Sequence, residues 1–305
     1  MCGNSFCLGL KKRARASLPD RFLHSSFFPI TSRFSEESHF QNGGSLASKF
    51  HSFAIPRDIL DSVQRLYYIP IIVILLLGYL YLANAYIYHR IGRGNLIFPD
   101  TAHTYTLTGS SEKRVYAALG DSLTSGVGAP DYKQAYPYMV AQDLATRGEV
   151  NLKVFAEAGI TSAMLISRYL TPAIESNPDI VSVLIGTNDV HNWVSATDFE
   201  ARYREILTSL TKETDAEIYA ISIPYIGSRF LILPPLNYYF DTKTSEFNAI
   251  IQKLAEEYDV TYVDIATPTR ELFKEDGVMY ATDSFHPSPL GYKQWSTLIY
   301  ANIRK

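Results

Sequence analysis

Four short blocks of this sequence carry the residue types that an acyl-transfer reaction needs. The first, residues 120–123 (Gly-Asp-Ser-Leu), follows an apolar run at 115–119, so a predicted strand delivers Ser122 to the mouth of a sheet. A serine placed there can attack a carbonyl carbon if a base accepts its proton. The other blocks follow in chain order: Gly159, residues 186–189 (Gly-Thr-Asn-Asp) and residues 283–287 (Asp-Ser-Phe-His-Pro).

The last block supplies a candidate base. Asp283 and His286 are three residues apart in a proline-bounded loop, so the carboxylate can reach one imidazole nitrogen while the other nitrogen faces a serine. We therefore assign Ser122 as nucleophile, His286 as general acid and base, and Asp283 as the residue that orients the imidazole. His191 either contacts substrate or lies in a solvent-exposed loop, and its position favours the loop.

In this order the blocks resemble the motifs of the GDSL, or SGNH, hydrolase family over about residues 114–305. The resemblance implies an α/β fold of the three-layer α/β/α flavodoxin-like type with a central parallel sheet. It also implies a serine hydrolase or acyltransferase that acts on oxygen esters without a metal or cofactor. Three oxyanion-hole donors are implied as well: the backbone N–H groups of Ser122 and Gly159, and the side-chain amide of Asn188.

Some neighbouring positions allow more than one interpretation. Gly159 lacks the asparagine that usually precedes it in the family, so a plain turn glycine remains an alternative. If a helical turn begins just after Ser122, its backbone N–H groups and the positive end of its dipole lie beside the serine oxygen. Asp189 is interpreted as a structural cap of its loop rather than as a second base.

Composition narrows the classes of function. The chain has 305 residues with 47% hydrophobic content, enough for one sizeable core and an appendage. Its formal net charge of −3 gives no electrostatic reason to expect nucleic acid as a partner. Cys2 and Cys7 lie far from the motifs, so we expect neither a disulfide scaffold nor a cysteine nucleophile there. No His, Asp or Glu cluster has metal-ligand spacing, and we expect no metal.

Residues 66–88 carry no charged side chain and are long enough, as a helix, to cross a bilayer. We predict a single-pass transmembrane helix or signal anchor with an extracytoplasmic catalytic domain. A buried globular helix is the less favoured interpretation. A cleaved signal sequence is the stronger alternative, because Ala83, Asn84 and Ala85 have the small-x-small form of a processing site, and cleavage would release a secreted domain.

The rest of the chain divides around this helix. Residues 1–65 are basic and serine-rich, so we expect a disordered cytoplasmic tail or an over-extended gene start, and residues 89–113 are expected to form a linker. In the hydrolase domain, 114–305, predicted strands alternate with predicted helices, which is typical of a parallel sheet with helices on both faces. The strands lie at 115–119, 152–156, 180–185, 217–223 and 260–265, and the helices at 136–147, 162–175, 197–212, 242–257 and 289–303.

One predicted connection between a strand and a helix has an unusual composition. Residues 225–240 are apolar and aromatic where a surface loop is normally polar. We expect this segment to form an acyl-chain pocket, a lid or a contact with the bilayer, with Phe230, Leu231 and Leu233 as candidate substrate-binding residues. An additional packed element over the core is an equal alternative.

The residues above predict a metal-independent carboxylic ester hydrolase that acts through an acyl-enzyme, as an esterase, lipase or deacetylase. Its substrate is expected to be a small-molecule, lipid or glycan ester. One alternative is an O-acyltransferase that passes the acyl group to a glycan hydroxyl. Another is a catalytically silent, membrane-tethered binding module that retains the fold, which the presence of every expected catalytic side chain disfavours.

Overall fold

The computed structural model describes residues 57–93, 98–99, 104–109, 112–275 and 277–303. The predicted tail therefore lies outside the described residues as far as position 56. The first described element is α1 (Arg57–Arg93), a helix that extends beyond the predicted span at both ends. Within it, Leu66–Ile91 is a stretch of 26 residues that is long and apolar enough to cross a membrane, by length and composition alone.

Six strands form one sheet among the described residues, in the order β1-β3-β2-β4-β5-β6. Strands β2 to β6 are all parallel to one another, whereas β1 at the edge pairs antiparallel with β3. Strand β4 is buried at every position, as expected for a parallel strand covered on both faces. The strands are β1 (Thr104–Leu107), β2 (Arg114–Gly120), β3 (Val150–Ala156), β4 (Ile180–Leu184), β5 (Glu217–Ile221) and β6 (Thr261–Val263).

Helices cover both faces of the sheet and divide the core into two apolar clusters. Successive residues of β2 point to opposite clusters: Ala117 and Leu119 to one, Tyr116 and Ala118 to the other. This three-layer α/β/α arrangement confirms the predicted fold class. The helices after α1 are α2 (Tyr136–Ala145), α3 (Ser162–Leu165), α4 (Thr171–Glu175), α5 (Thr187–His191), α6 (Ala196–Glu213), α7 (Leu236–Glu257), α8 (Ala266–Glu275) and α9 (Pro289–Ile303).

Three features differ from the predictions. The predicted linker contributes β1, whose Thr104 pairs with Lys153 of β3, so the sheet is mixed rather than wholly parallel. A π-helical turn, Ile166–Leu170, interrupts the helix predicted at 162–175. Pro172 lies just beyond this turn and has no N–H to donate to a regular ladder. Two helices had no predicted counterpart: α5, whose five residues leave little periodicity to detect, and α8, which is as long as the predicted α2.

The turn after β4 requires glycine at position 186. Gly186 has a φ of 128°, and a Cβ there would lie 2.5 Å from Cδ1 of Ile223.

We expect Gly186→Ala to lower the Tm by several degrees, since backbone strain and steric overlap together cost on the order of 1–3 kcal/mol. Gly277→Ala is the matched control, because nothing lies within 4 Å of a Cβ at that position. Thermal unfolding measures both variants, and equal melting temperatures would contradict this account of the turn.

Candidate active site

The register of three neighbouring strands brings the sequence blocks to one edge of the sheet. Gly120, at the end of β2, pairs with Ala156 of β3 and with Leu184 of β4. Because the three strands are parallel, the loops that follow them leave at the same edge, where open α/β sheets bind ligands. Those loops carry the first three blocks.

Ser122, His286 and Asp283 form a continuous hydrogen-bonded chain. The Oγ of Ser122 lies 2.9 Å from Nε2 of His286, and Nδ1 of His286 lies 2.5 Å from Oδ2 of Asp283. When Nδ1–H donates to the carboxylate, Nε2 is left to accept the serine proton. Asp283 is fully buried, whereas Ser122 and His286 keep small exposed fractions, 6% and 5%. The structure thus brings together the three residues that the sequence assigned to acyl transfer.

The loop that carries the histidine also holds the carboxylate in place. Oδ1 of Asp283 accepts the backbone N–H groups of Phe285 and His286, each at 3.0 Å. Ser284 between them has a φ of 61°, which lets the chain reverse tightly. Burial by itself would raise the pKa of Asp283, but the hydrogen bonds from His286 and from the backbone outweigh it and lower the pKa. An ionised carboxylate therefore faces the imidazole.

Residues 122–128 form consecutive hydrogen-bonded turns rather than a regular helix. The N–H groups of Thr124 and Ser125 donate to the Asp121 carbonyl at 3.1 and 2.9 Å, and α2 begins only at Tyr136. The bond from Ser125 spans four residues, as in an α-helix, so one helical turn does begin beside Ser122, although it does not continue as a regular helix. The Asp121 carboxylate also holds this turn, because it accepts the N–H of Leu123 at 3.0 Å.

The two other predicted oxyanion donors line a cavity beside Ser122. Nδ2 of Asn188 donates to the carbonyl of Ile160 at 2.9 Å and lies 3.5 Å from Oδ2 of Asp121. The second distance is at the limit of a hydrogen bond, so a substrate oxygen can compete for that N–H. Gly159 lines the same cavity with a φ of 86° and open space where a Cβ would stand. Both positions suit donors to a substrate oxygen.

Asp189 ties together the loops that carry Gly159 and Asn188. Its fully buried carboxylate accepts the Ser162 backbone N–H at 2.8 Å and the Ser162 hydroxyl at 2.6 Å, and Arg202 lies 3.4 Å away. Burial raises the pKa of Asp189, and the hydrogen bonds from Ser162 and the charge of Arg202 act against that rise. Asp189 is therefore more than a cap of its own loop, because it joins segments 27 residues apart.

The cavity beside the serine has a volume of about 380 Å³, which is typical of ligand sites. Tyr88, Ile91 and Phe98 supply part of its apolar lining, and sequence reasoning did not assign them to the site. Tyr88 and Ile91 are three residues apart on α1, so they share one helical face. That spacing was visible in the sequence, but only the fold brings this face to Ser122.

His191 lines the cavity rather than lying in a solvent-exposed loop. Its ring lies 4.7 Å from the Phe240 ring and 5.3 Å from the Phe285 ring, and its Nε2 is buried without a hydrogen-bond partner among the described residues. Burial, with the charge of His286 as a smaller cause, lowers the pKa of His191 to about 4. A neutral imidazole therefore faces the cavity at neutral pH, a placement that suits substrate contact.

The remaining predicted substrate-binding residues lie elsewhere. Leu231 is 1% exposed and belongs to a core cluster, whereas Phe230 and Leu233 are exposed, and none of the three is among the described residues that line the cavity. The expectation that they bind the acyl chain is corrected accordingly. The N–H groups of Leu231 and Ile232 both donate to the Ser228 carbonyl, and in this turn Leu231 is buried while Phe230 stays in contact with solvent.

The GDSL-like Lipase/Acylhydrolase family matches residues 118–294, which contain all four blocks. The chain belongs to this family. Two relatives are known from bacilli. The protein YpmR of Bacillus subtilis is 29% identical over 223 residues, which cover 65% of this chain and 84% of YpmR. The spore germination lipase LipC of Bacillus licheniformis is 26% identical over 211 residues, which cover 61% of this chain and 94% of LipC.

Solved structures share the fold of this GDSL-like protein. A lipase/acylhydrolase from Enterococcus faecalis has a TM-score of 0.52 at 19% identity, covering 63% of this chain and 95% of its own. An acetylxylan esterase from Geobacillus stearothermophilus has a TM-score of 0.50 at 21% identity, covering 64% and 95%. The family supports an esterase or lipase, and the solved structures support the fold. Within the described residues, no group of three or more His, Cys, Asp or Glu side chains is arranged to hold a metal ion.

Asp121 should make the stability of the protein depend on pH. Burial raises the pKa of Asp121 to about 7, despite the hydrogen bond from the Leu123 N–H. Folded Asp121 thus keeps its proton between about pH 4 and pH 7, where an unfolded aspartate has lost it. Because the native state binds more protons in that window, stability falls as pH rises, by up to about 1.4 kcal/mol per pH unit.

Asp121→Asn, which cannot ionise, is therefore expected to gain stability relative to wild type as the pH rises from about 4 to about 8. The measurement is the difference in Tm between variant and wild type at each pH. Asp259→Asn, at an exposed position whose positive φ suits asparagine, serves as the control for the change from aspartate to asparagine itself. A Tm difference for Asp121→Asn that does not change with pH would contradict the raised pKa.

Proposed function

We propose that this protein hydrolyses carboxylic O-acyl esters through an acyl-enzyme on Ser122. The observation that carries the proposal is the chain of short contacts from Ser122 to His286 to Asp283 at the wall of a cavity. This is the arrangement that activates a serine as a nucleophile, because a base within hydrogen-bond reach is itself oriented by a carboxylate.

The reaction follows from the positions of these groups. Ser122 Oγ attacks the ester carbonyl carbon while its proton passes to Nε2 of His286, and Asp283 stabilises the resulting imidazolium. The tetrahedral oxyanion receives hydrogen bonds from the N–H groups of Ser122 and Gly159 and from the amide of Asn188. His286 then protonates the leaving alcohol as the C–O bond breaks. Water attacks the acyl carbon and gives its proton to His286, which passes a proton to Ser122 Oγ as the bond between Oγ and the acyl carbon breaks and the acid leaves.

Water and a sugar hydroxyl can both attack such an acyl-enzyme, so hydrolysis and transfer to a glycan share the first half of the reaction. Hydrolysis is favoured because the relative LipC and the structural neighbours are named lipases and esterases. Product analysis with a p-nitrophenyl ester and an added oligosaccharide separates the two, since only transfer yields an acylated glycan.

The same proposal includes retention of α1 as a membrane anchor. Ala83 and Ile87 are buried in the core cluster, at 6% and 1% exposure. Cleavage near Ala85 would separate these two residues and remove Ala83 from the core, so packing favours an uncleaved chain. Basic residues flank the apolar stretch on both sides, Arg57 and Arg65 before it and Arg90 and Arg93 after it, so charge gives little preference for either orientation. An extracytoplasmic catalytic domain is part of the proposal.

Removal of either the nucleophile or the base should abolish hydrolysis. We expect Ser122→Ala and His286→Ala each to lower kcat for p-nitrophenyl esters by several orders of magnitude, because each removes a member of one acyl-transfer unit. Ser245→Ala, an exposed serine on α7, is the matched control and should retain wild-type rates. Near wild-type activity in a folded Ser122→Ala protein would exclude Ser122 as the nucleophile.

Loss of the Asn188 amide should affect the transition state more than the ground state. We expect Asn188→Ala to lower kcat by roughly 10²–10³ with a smaller change in KM, because the donor matters most when the oxyanion carries charge. Steady-state kinetics on a short-chain ester separates the two parameters, and circular dichroism checks the fold. An unchanged kcat would place the oxyanion hole elsewhere.

A further inference from the structure

We propose that the turns of α1 from Leu80 to Ile91 form one wall of the catalytic site, and that the site takes the acyl chain of an ester lipid from the bilayer that α1 crosses. This substrate class rests on the proposed ester chemistry at Ser122. The proposal adds a route by which the substrate enters the site. It also makes α1 part of the substrate-binding wall as well as an anchor.

One face of α1 is part of the core of the domain. Ala83 and Ile87 are buried within an apolar cluster, and Leu80 and Ile91 pack against the same cluster while partly exposed. These positions follow one another at intervals of three and four residues, which is the spacing of a single helical face. By contrast, residues 66–79 are exposed all round. The end of α1 that leads to the catalytic domain is therefore docked on it.

The contact between α1 and the catalytic domain begins within the apolar span Leu66–Ile91. The hydroxyl of Tyr79 donates to the carbonyl of Pro234 at 2.6 Å, although the two residues are 155 positions apart. As a helix, the fully exposed residues 66–79 cover only about 21 Å, less than the roughly 30 Å hydrocarbon thickness of a bilayer. About six further residues are needed to complete the crossing, which takes the apolar layer to near Ala85. The bilayer around α1 therefore also reaches the loop at Pro234.

Several large apolar or aromatic side chains close to Pro234 in the sequence are exposed. Phe230 is 63% exposed, Tyr238 is 68% exposed and Leu233 is also exposed. Trp193, which follows Asn192 of the cavity lining, is exposed as well, and its ring stacks on that of Tyr239 at 4.2 Å. Large apolar side chains in contact with solvent mark interaction surfaces, and Trp and Tyr are enriched at the headgroup level of membranes. We assign these side chains to the bilayer surface.

Just beyond that level, α1 lines the cavity of Ser122. Tyr88 and Ile91 lie within two turns of Ala85, and Phe98 and Phe285 extend the apolar lining. An ester group at the headgroup level can therefore meet the serine while its acyl chain lies along the wall formed by α1. The acetyl ester of a sugar would leave most of this apolar lining without a contact, so the lining favours a long acyl chain.

Truncation of the wall should change the preference for acyl length. In the full chain, assayed in mixed micelles, we expect Tyr88→Ala and Ile91→Ala each to lower kcat/KM for p-nitrophenyl palmitate. The factor by which kcat/KM decreases should be at least five times the factor for p-nitrophenyl acetate, because only the long chain reaches these side chains. An unchanged ratio between the two esters would overturn the assignment of the wall.

Two control variants lie on the same helix. Tyr81→Ala and Leu82→Ala truncate exposed side chains that are not among the described residues lining the cavity, and both should retain the wild-type ratio. Tyr88 is itself 58% exposed, so its truncation should leave the fold in place, which the Tm checks. The same change of ratio in all four variants would show a general effect on α1 and would also overturn the assignment.

Entry from the bilayer has a separate test. The full chain is reconstituted in vesicles of a diether phosphatidylcholine, with dioleoylglycerol either in the same vesicles or in separate ones. We expect release of oleate to be at least tenfold faster when enzyme and substrate share a vesicle, and equal rates would overturn this route. A wild type that cleaves p-nitrophenyl acetate but fails these tests retains the proposed function and loses only the lipid substrate. A wild type inert on every ester removes both.

Discussion

Three parallel strands must end at one level for this site to exist. Gly120 of β2 is in register with Ala156 of β3 and Leu184 of β4, so the loops after them leave the sheet together. A slip of one residue would turn every side chain of a strand to the opposite face. The two apolar clusters oppose such a slip, because alternate residues of β2 belong to different clusters. Core packing thus maintains the position of Ser122.

Buried carboxylates hold the loops beyond the strand ends. Asp121, Asp189 and Asp283 are each fully buried and each accept backbone N–H groups, from Leu123, Ser162, Phe285 and His286. A buried carboxylate without such donors is strongly unfavourable, so these bonds favour one loop conformation. Only Asp283 has a lowered pKa, whereas burial raises the pKa of the other two. The lowered pKa thus belongs to the one carboxylate of the three that faces an imidazole.

The helix α1 is packed into the same core as the catalytic loops. A separate anchor and domain joined by a linker would leave the catalytic site independent of the helix. Here Ala83 and Ile87 belong to the core, and Tyr88 and Ile91 line the cavity. A rigid helix packed in this way sets the height and orientation of the site relative to any membrane that α1 crosses. The cavity lining thus includes side chains that lie more than thirty positions before Ser122 in the sequence.

The sequence by itself determined the fold class and the residues of the hydrogen-bonded chain. Alternating strand and helix patterns allow few topologies, and proton transfer restricts Ser122, Asp283 and His286 to a few residue types at close spacing. Only the tertiary structure decided what surrounds them. Apolar composition at 225–240 cannot distinguish a core side chain such as Leu231 from one that lines a ligand cavity, because burial excludes water in both cases. That choice depends on how the helices pack against the sheet.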